Sequence, residues 1–226
     1  MILAIDTATD MLGAALSDGE AVLWESAWLA HQRHTVTLGP LVAQALATLG
    51  LSAESVRAVG VTLGPGSFTA LRVGLAFAQG FALGHRIPVV GVPTLDVLAY
   101  AQPKSDHVLA AVLQAGRARV AAGLYRWQSR AWRAEGEALS FTRAELVAWL
   151  PRGSIVVGEL GRPLREVLAP RRDLRVAPAA AALRRAGYLA ELTGLRLRDG
   201  PMDSPKSQSD RSSRATDSGT RDCRWP

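Results

Sequence analysis

The stretch GPGSFTALRVG, residues 64–74, joins an apolar segment at 59–63 to a long apolar segment that ends near His85. Two glycines around a proline favour a sharp turn, because glycine tolerates positive φ and proline fixes φ at about −65°. Ser67 stands where a helix N-cap residue is expected. The pattern therefore predicts a strand, a tight turn and a helix that begins after Ser67.

This turn has two interpretations on sequence alone. Backbone N–H groups that converge at a helix N-terminus can bind phosphate, so Gly64, Gly66 and Ser67 are candidate phosphate-binding residues. The other interpretation is purely structural, a strand-to-helix turn before a buried helix. Residue types and spacing are all that support a phosphate site, and both interpretations stay open.

Composition limits the class of protein. The chain has 226 residues, of which 48% are hydrophobic, enough for one domain or two small lobes. No apolar run reaches the roughly 20 residues of a membrane span. The first six residues, MILAID, lack a basic leader and predict a buried strand rather than a signal peptide. Cys223 is the single cysteine, which excludes disulfides within the chain and cysteine-based metal sites. We therefore expect a cytoplasmic protein without a membrane partner.

The net charge of +6 is unevenly distributed. Residues 1–103 carry −3, and the rest of the chain carries +9. A basic second half could favour RNA or another acidic partner. However, the arginines occur in scattered pairs such as Arg171-Arg172 and Arg184-Arg185, without aromatic residues between them. This pattern favours solvated surface charges over a nucleic-acid interface.

Strands and helices alternate in the first part of the chain. The pattern predicts a strand at 2–6, a hairpin at 11–28 around Asp18-Gly19, and then a helix, a strand, a helix and a strand at 34–49, 56–63, 67–85 and 87–92. Gly39-Pro40 should kink the first helix or delay its start. An opening hairpin followed by such alternation predicts an α/β fold with a mixed sheet.

The second part begins after a linker at Gln102–Ser105. Strands are expected at 108–113, 119–125, 132–139 and 155–157, and helices at 142–150, 163–168 and 179–192. Thr142 and Glu145 form a predicted capping box. We therefore predict an N-terminal lobe at 1–101 and a smaller C-terminal lobe at 102–199. The polar composition of 200–226 predicts disorder, and its abrupt start also suits an altered reading frame or a cloning artefact.

A polar cluster follows the first strand. Asp6, Thr7 and Thr9 resemble the loop that holds metal and phosphate in sugar-kinase, Hsp70 and actin-like ATPases. Such loops need glycine so that backbone N–H groups reach the phosphates, and here Ala8 fills the middle. We interpret these residues, with the glycine turn, as a vestigial nucleotide site or a structural loop.

Other chemistries receive little support. His31 and His34 have a spacing that metal ligands use, but no third ligand lies beside them. Ser67 lacks the glycine two residues later that a nucleophile elbow requires. We therefore predict no catalytic residue and no metal site.

Three segments carry a family resemblance: IDTAT at 5–9, GPGSFTALRVGL at 64–75 and IPVVGV at 87–92. In order and spacing they resemble the TsaB (YeaZ) family, to which the second motif is highly specific. His34-Thr35 through Pro40 is also similar to that family's His-Ser-x-x-Leu-x-Pro segment. The second part diverges more, since QAGRARV at 114–120 replaces an Asp-Ala-Arg segment and the family's Pro-x-Tyr-Leu-Arg ending is absent.

The resemblance implies an actin-like (ASKHA, RNase H-like) fold of two lobes, each a mixed β-sheet flanked by helices, without ATPase activity. Family members support synthesis of threonylcarbamoyladenosine beside the tRNA anticodon. They pair with TsaD, the related subunit that holds the metal and transfers the threonylcarbamoyl group, and TsaE is their ATPase partner. The resemblance thus implies a non-catalytic scaffold that contacts tRNA indirectly and binds no cofactor alone, with ATP or ADP at the joint interface.

We expect this chain to pair with TsaD, or with itself when alone, through apolar surface on its helices at 34–49 and 67–85. The expected interface residues are His34, Leu38, Leu41, Val42, Phe68, Leu71, Arg72, Gly74, Leu75 and Ala78. The alternative is an enzyme of the same fold, an ATP-binding protein or an M22-type peptidase, that uses the loop after the first strand.

Overall fold

The chain forms two β-sheets, one from the strands before residue 94 and the other from the strands after residue 108. The computed structural model describes residues 1–31, 33–116 and 118–199, so the predicted disordered tail at 200–226 lies outside the described residues. The strands are β1 Ile2–Asp6, β2 Met11–Ser17, β3 Val22–Leu29, β4 Ala58–Gly64, β5 Val89–Pro93, β6 Leu109–Gln114, β7 Arg119–Gln128, β8 Ala131–Ala134, β9 Leu139–Thr142, β10 Ile155–Gly158 and β11 Arg175–Val176. The helices are α1 His34–Thr48, α2 Phe68–His85, α3 Thr94–Tyr100, α4 Arg143–Trp149, α5 Arg162–Leu168 and α6 Ala186–Asp199, with 3₁₀ turns at Ala53–Ser55 and Ala179–Ala182.

The first sheet has the strand order β3-β2-β1-β4-β5. β1 pairs antiparallel with β2 and parallel with β4, and β4 pairs parallel with β5, so the sheet is mixed as predicted. Leu3 and Ile5 of β1 pack with α1 and α2 on one face. Ala4 packs with α6 on the other face. Alternate residues of β1 thus face two separate layers of helix, as the pleat of a strand requires.

α2 begins as the sequence predicts. The Ser67 hydroxyl accepts from the Ala70 N–H at 3.5 Å, and Arg86 ends the helix in the left-handed conformation at φ 54°. Gly74, Ala78 and Ala82 are buried, because the small-residue face of α2 lies against its own sheet. α1 begins at His34, and Gly39-Pro40 lies inside it without delaying its start.

The second sheet has the strand order β11-β10-β6-β7-β8, with β9 paired to β7. The single strand expected at 132–139 is two strands, β8 and β9, because Gly136 at φ 105° turns the chain between them. The predicted capping box of α4 is confirmed, with Thr142 and Glu145 each bonding the other's backbone N–H. Within the described residues, no helix is long and apolar enough to cross a membrane.

The last helix differs from the prediction in both its bounds and its place. α6 begins at Ala186 rather than Ala179, after a 3₁₀ turn and three residues outside any helix. It packs on β1 and β2 of the first sheet, although it follows the strands of the second. A Cβ at Gly60 of β4 would overlap the Thr193 hydroxyl, so this close approach requires glycine. The boundary between lobes at 101 and 102 stays a prediction.

A polar contact joins α3, β7 and α6. Asp96 accepts from the Tyr125 hydroxyl at 2.9 Å and from Arg196 at 3.1 Å. Burial raises the pKa of Asp96, against the opposing effects of Tyr125 and Arg196. Burial and the neighbouring Asp96 also raise the pKa of Tyr125. This contact ties the second sheet to the helix that covers the first.

Candidate functional site

The carboxyl ends of β1 and β4 meet at one edge of the first sheet, next to the start of α2. Asp6 is the last residue of β1 and is 1% exposed. Its Oδ1 accepts hydrogen bonds from the Ala8 N–H at 2.9 Å and from the Thr62 hydroxyl at 3.2 Å. The candidates predicted for a nucleotide site lie together at this edge: Asp6, Thr7, Thr9, Gly64, Gly66 and Ser67.

A buried arginine occupies the space in front of Asp6. Arg184 is 2% exposed, and its Nε donates to Asp6 Oδ2 at 2.8 Å. Its Nη1 donates to Glu159 Oε1 at 2.6 Å, and its Nη2 donates to Thr9 Oγ1 at 2.7 Å. The Thr9 hydroxyl donates in turn to Glu159 Oε1 at 2.6 Å. One guanidinium therefore joins the end of β1 to the residue that follows β10 of the other sheet.

The buried positive charge of Arg184 is balanced by neighbouring carboxylates. Burial disfavours the charged guanidinium, but the Asp6 and Glu159 carboxylates outweigh that cost and raise the pKa of Arg184. Glu159 Oε2 also accepts from the Gln114 N–H at 3.2 Å. The buried positive charge thus faces two carboxylates that are themselves hydrogen-bonded. This is the arrangement that makes a buried ion pair tolerable.

The glycine turn packs on the loop after Asp6. The Ser67 N–H donates to the Ala8 carbonyl at 2.6 Å, and the Gly64 N–H donates to the Thr94 hydroxyl at 3.1 Å. A Cβ at Gly66 would overlap the Ala8 carbonyl. Two of the N–H groups expected to hold phosphate, those of Gly64 and Ser67, are therefore bonded to protein oxygens. The structural interpretation of this turn explains why residue 66 is a glycine.

A cavity of about 340 Å³ lies beside the start of α2. Its lining includes Asp10, His34, Ser67 and Thr69. His34 is buried, and its Nε2 has no hydrogen-bond partner among the residues that the structure describes. The Asp10 carboxylate at this cavity opposes an anion there. Among the described residues, no group of three or more His, Asp or Glu side chains is placed to hold a metal ion.

The expected partner interface is only partly on the surface. Five of its residues are buried within the monomer, and their part in an interface stays a prediction: His34, Leu38, Val42, Gly74 and Ala78. The helical pattern identified apolar residues but could not show that Leu38, Val42 and Ala78 pack into the core beside the first sheet. A Cβ at Gly74 would overlap the Thr7 hydroxyl, so this glycine serves internal packing.

The other five expected interface residues remain accessible. Leu41, Leu71 and Leu75 are half-buried, and Phe68 is 67% exposed. The Arg72 guanidinium lies 3.7 Å from the centre of the Phe68 ring, a cation–π contact. Phe68 and Arg72 line a groove of about 500 Å³ between the start of α1 and α2, together with Thr35, Leu38, Val73 and Phe77. We call this surface the α1/α2 face, and its role in pairing stays a prediction.

Arg184 and Glu159 are site residues that sequence reasoning missed. The interpretation of Arg184-Arg185 as solvated charge is wrong for Arg184 and correct for Arg185, an exposed residue that pairs with Glu25. The only local signal is the arginine pair between Leu183 and Ala186, directly before a helix, and it does not distinguish Arg184 from Arg185. Its partner Asp6 is 178 positions away, so no spacing rule links them.

The fold and this edge of the first sheet define the class: a protein of the actin-like ATPase fold, with an acid at the end of its first strand. One solved structure shows the fold alone, the activator of the 2-hydroxyisocaproyl-CoA dehydratase from Clostridium difficile with bound ADPNP. It is 11% identical, with a TM-score of 0.50 over 90% of this chain and 99% of that one.

Comparisons of sequence identify the family. A family profile described as "TsaD: tRNA N6-adenosine threonylcarbamoyltransferase" matches residues 28–157. The chain is 40% identical over 115 residues to the tRNA threonylcarbamoyladenosine biosynthesis protein TsaB of Escherichia coli K12, and 31% identical over 128 residues to that of Bacillus subtilis 168. These matches cover 49% of both chains in the first case, and 57% of this chain and 56% of the other in the second. The chain thus spans about half the length of the curated relatives it matches.

A solved structure is similar to this chain over more of its length than the curated relatives are. YeaZ from Pseudomonas aeruginosa is 25% identical, with a TM-score of 0.73 over 88% of this chain and 92% of that one. The chain belongs to the TsaB (YeaZ) family, within the wider TsaD-like group that the profile describes. The family predicted from the three segments at 5–9, 64–75 and 87–92 is therefore confirmed.

Proposed function

We propose that this chain is a non-catalytic scaffold subunit for the biosynthesis of threonylcarbamoyladenosine in tRNA. It acts in the cytoplasm, pairs with a TsaD-type subunit, recruits a TsaE-type ATPase and contacts tRNA only through that assembly. In the absence of these partners it forms a homodimer. The names of the relatives support the pathway, since both curated relatives above are described as tRNA threonylcarbamoyladenosine biosynthesis proteins.

The single observation that carries the non-catalytic role is the Arg184 guanidinium in front of Asp6. Both carboxylate oxygens of Asp6 are engaged, Oδ1 by Ala8 and Thr62 and Oδ2 by Arg184. A metal ion or phosphate at this acid would have to displace a buried, paired cation, at a cost of several kcal/mol. We therefore place ATP or ADP at the joint interface of the complex rather than in this chain alone.

The α1/α2 face supports pairing. Phe68 is a large, mostly exposed apolar side chain that lies beside Arg72, and aromatic residues and arginine are both enriched where proteins associate. The groove beside it is large enough for apolar side chains of a partner helix. Leu83, at 82% exposure, extends the apolar surface toward the end of α2.

Replacing Phe68 with aspartate is expected to abolish pairing and leave the fold intact, because the side chain is mostly exposed in the monomer. A buried hot-spot aromatic contributes about 2 kcal/mol or more to an interface, so affinity for the TsaD-type subunit should fall at least about thirtyfold. Light scattering with and without that subunit measures the change. Val167→Asp on α5 is a matched control, since it places the same charge at an exposed valine away from this face.

The cellular test uses Escherichia coli depleted of its own TsaB and mass spectrometry of tRNA nucleosides. Expression of this chain should restore threonylcarbamoyladenosine, Val167→Asp should restore it equally, and Phe68→Asp should not. Restoration by Phe68→Asp would refute pairing through this face. Failure of the wild-type chain to restore the nucleoside, while it still binds the TsaD-type subunit, would refute the scaffold role.

Titration calorimetry with ATP and magnesium separates the scaffold from an enzyme of the same fold. The free chain should bind ATP no tighter than about millimolar, because Arg184 fills the space before Asp6. Micromolar binding by the free chain, lost in Asp6→Asn, would show that an ATP-binding enzyme was the correct alternative.

A further inference from the structure

β11 forms an open edge of the second sheet. Val156 of β10 lies opposite Val176, and the N–H groups of Arg175 and Ala177 donate inward to Ser154 and Val156 at 2.9 Å each. Alternate residues of a parallel strand point their peptide groups to the same neighbour. The N–H and C=O of Val176 therefore face outward, where no strand pairs with them in the part of the chain that the structure describes.

An apolar cavity adjoins this edge. It measures about 460 Å³ and opens between the 102–105 segment and the residues after β11. Leu109, Trp132 and Ile155, at the starts of strands or beside them, provide its apolar lining. The Trp132 indole is fixed, since its Nε1 donates to the Gln102 carbonyl at 3.1 Å. The cavity is thus a preformed space for a bulky apolar side chain.

The rim of the cavity carries only positive charge. Lys104 and Arg175 line it, both exposed, and no Asp or Glu is among its lining residues. Neither side chain takes part in any of the hydrogen bonds or ion pairs of the described residues. Arg175 shares a sheet face with Ile155, its register partner, so its charge lies on the same face as the apolar lining. A ligand that fits must therefore combine an apolar group with negative charge.

We propose that β11 and this cavity form a docking site for an extended, acidic peptide segment of a partner protein. The segment adds a strand beside β11 and bonds the N–H and C=O of Val176. Every second residue then points to the cavity face, where a bulky apolar side chain fills the cavity and a neighbouring acid meets Lys104 and Arg175. RNA is the poorer fit, because phosphates gain nothing from an apolar cavity, and its binding is one outcome of the test.

A phage library of random ten-residue peptides, selected on the full chain, provides the probes. The enriched sequences should place an acid within two residues of a large apolar side chain. Synthetic fluorescein-labelled copies then give dissociation constants by anisotropy. A twenty-nucleotide single-stranded RNA and 4-phenylbutyrate, a small apolar carboxylate, are measured in parallel on the same protein.

Three variants decide the result. Lys104→Glu with Arg175→Glu should weaken the enriched peptides at least about tenfold, whereas Arg57→Glu with Arg133→Glu, the same charge change elsewhere on the surface, should not. Val176→Pro removes one outward N–H and leaves the inward bonds of β11, so it should weaken binding about fivefold. Circular dichroism confirms that each variant folds.

Several outcomes would overturn the proposal. One is the absence of any enriched peptide, and another is binding that is unchanged in Lys104→Glu with Arg175→Glu. RNA binding that this double variant abolishes, without peptide binding, would assign the surface to nucleic acid. Phenylbutyrate binding as tight as that of the peptides, unaffected by Val176→Pro, would assign it to a small metabolite. This site is remote from the α1/α2 face, so its failure would leave the scaffold function standing.

Discussion

Replacing Arg184 with alanine is expected to lower the free energy of unfolding by about 3–5 kcal/mol, a large part of the stability of a domain of this size. The change removes the cation that pairs with Asp6 and Glu159 and leaves Asp6, which is fully buried, without its partner. It also removes the donor to Thr9. Urea denaturation followed by circular dichroism measures the loss.

Arg185→Ala is the matched control for this prediction. Arg185 is the next residue and also forms an ion pair, with Glu25, but about half of its side chain is exposed. Glu25 is only 15% exposed, but it keeps the Gly187 N–H as a donor, so this variant should lose about 1 kcal/mol or less. Equal effects of the two substitutions would show that the Arg184 cluster does not hold the sheets together. Arg184→Lys should fall between them, because an ammonium keeps the charge but lacks the planar fork that reaches three acceptors.

Gly74→Arg is expected to prevent folding rather than only pairing. Any side chain at Gly74 meets the buried Thr7 across the contact between α2 and β1, and an arginine there would also bury an unpaired charge. Overpacking and a buried charge together should cost more than about 4 kcal/mol. The variant should lack a cooperative thermal transition and should be recovered mainly in the insoluble fraction.

Gly80→Arg tests the same substitution in the same helix. Gly80 is exposed, and nothing lies within 4 Å of a Cβ built there. Arginine has a higher helix propensity than glycine, so this variant should be as stable as the wild type or more stable by a few tenths of a kcal/mol to about 1 kcal/mol. A folded Gly74→Arg that simply fails to pair would contradict the packing described for α2.

Local signals predicted much of the fold. The N-cap at Ser67 and the capping box at Thr142 and Glu145 act over three residues, and both lie where the sequence places them. The alternation of strands and helices over the first 93 residues likewise predicts these elements in their order along the chain, although not the order of the strands within the sheet. Each of these signals depends on neighbours along the chain, which a single sequence displays directly.

The candidate site could be predicted only in part. The loop after Asp6 and the glycine turn meet because both follow parallel strands of one sheet, so their proximity follows from the predicted order of elements. The position of Arg184 does not follow, because its contacts with Asp6 and Glu159 depend on how the two sheets are stacked. For the same reason, an apolar pattern on α2 could not separate Gly74, which packs on Thr7 after β1, from Phe68, which is exposed.

The position of α6 on the first sheet has a consequence for synthesis of the protein on the ribosome. The residues that cover one face of β1 and β2, among them Leu189 and Ala190, are made more than 170 residues after those strands. An N-terminal unit usually folds before the rest of the chain is made, but the first sheet cannot complete its fold in that order because α6 is still missing. Its apolar face must wait for nearly the whole chain to emerge, and a chain that ends before α6 would leave that face open to chaperones and proteases.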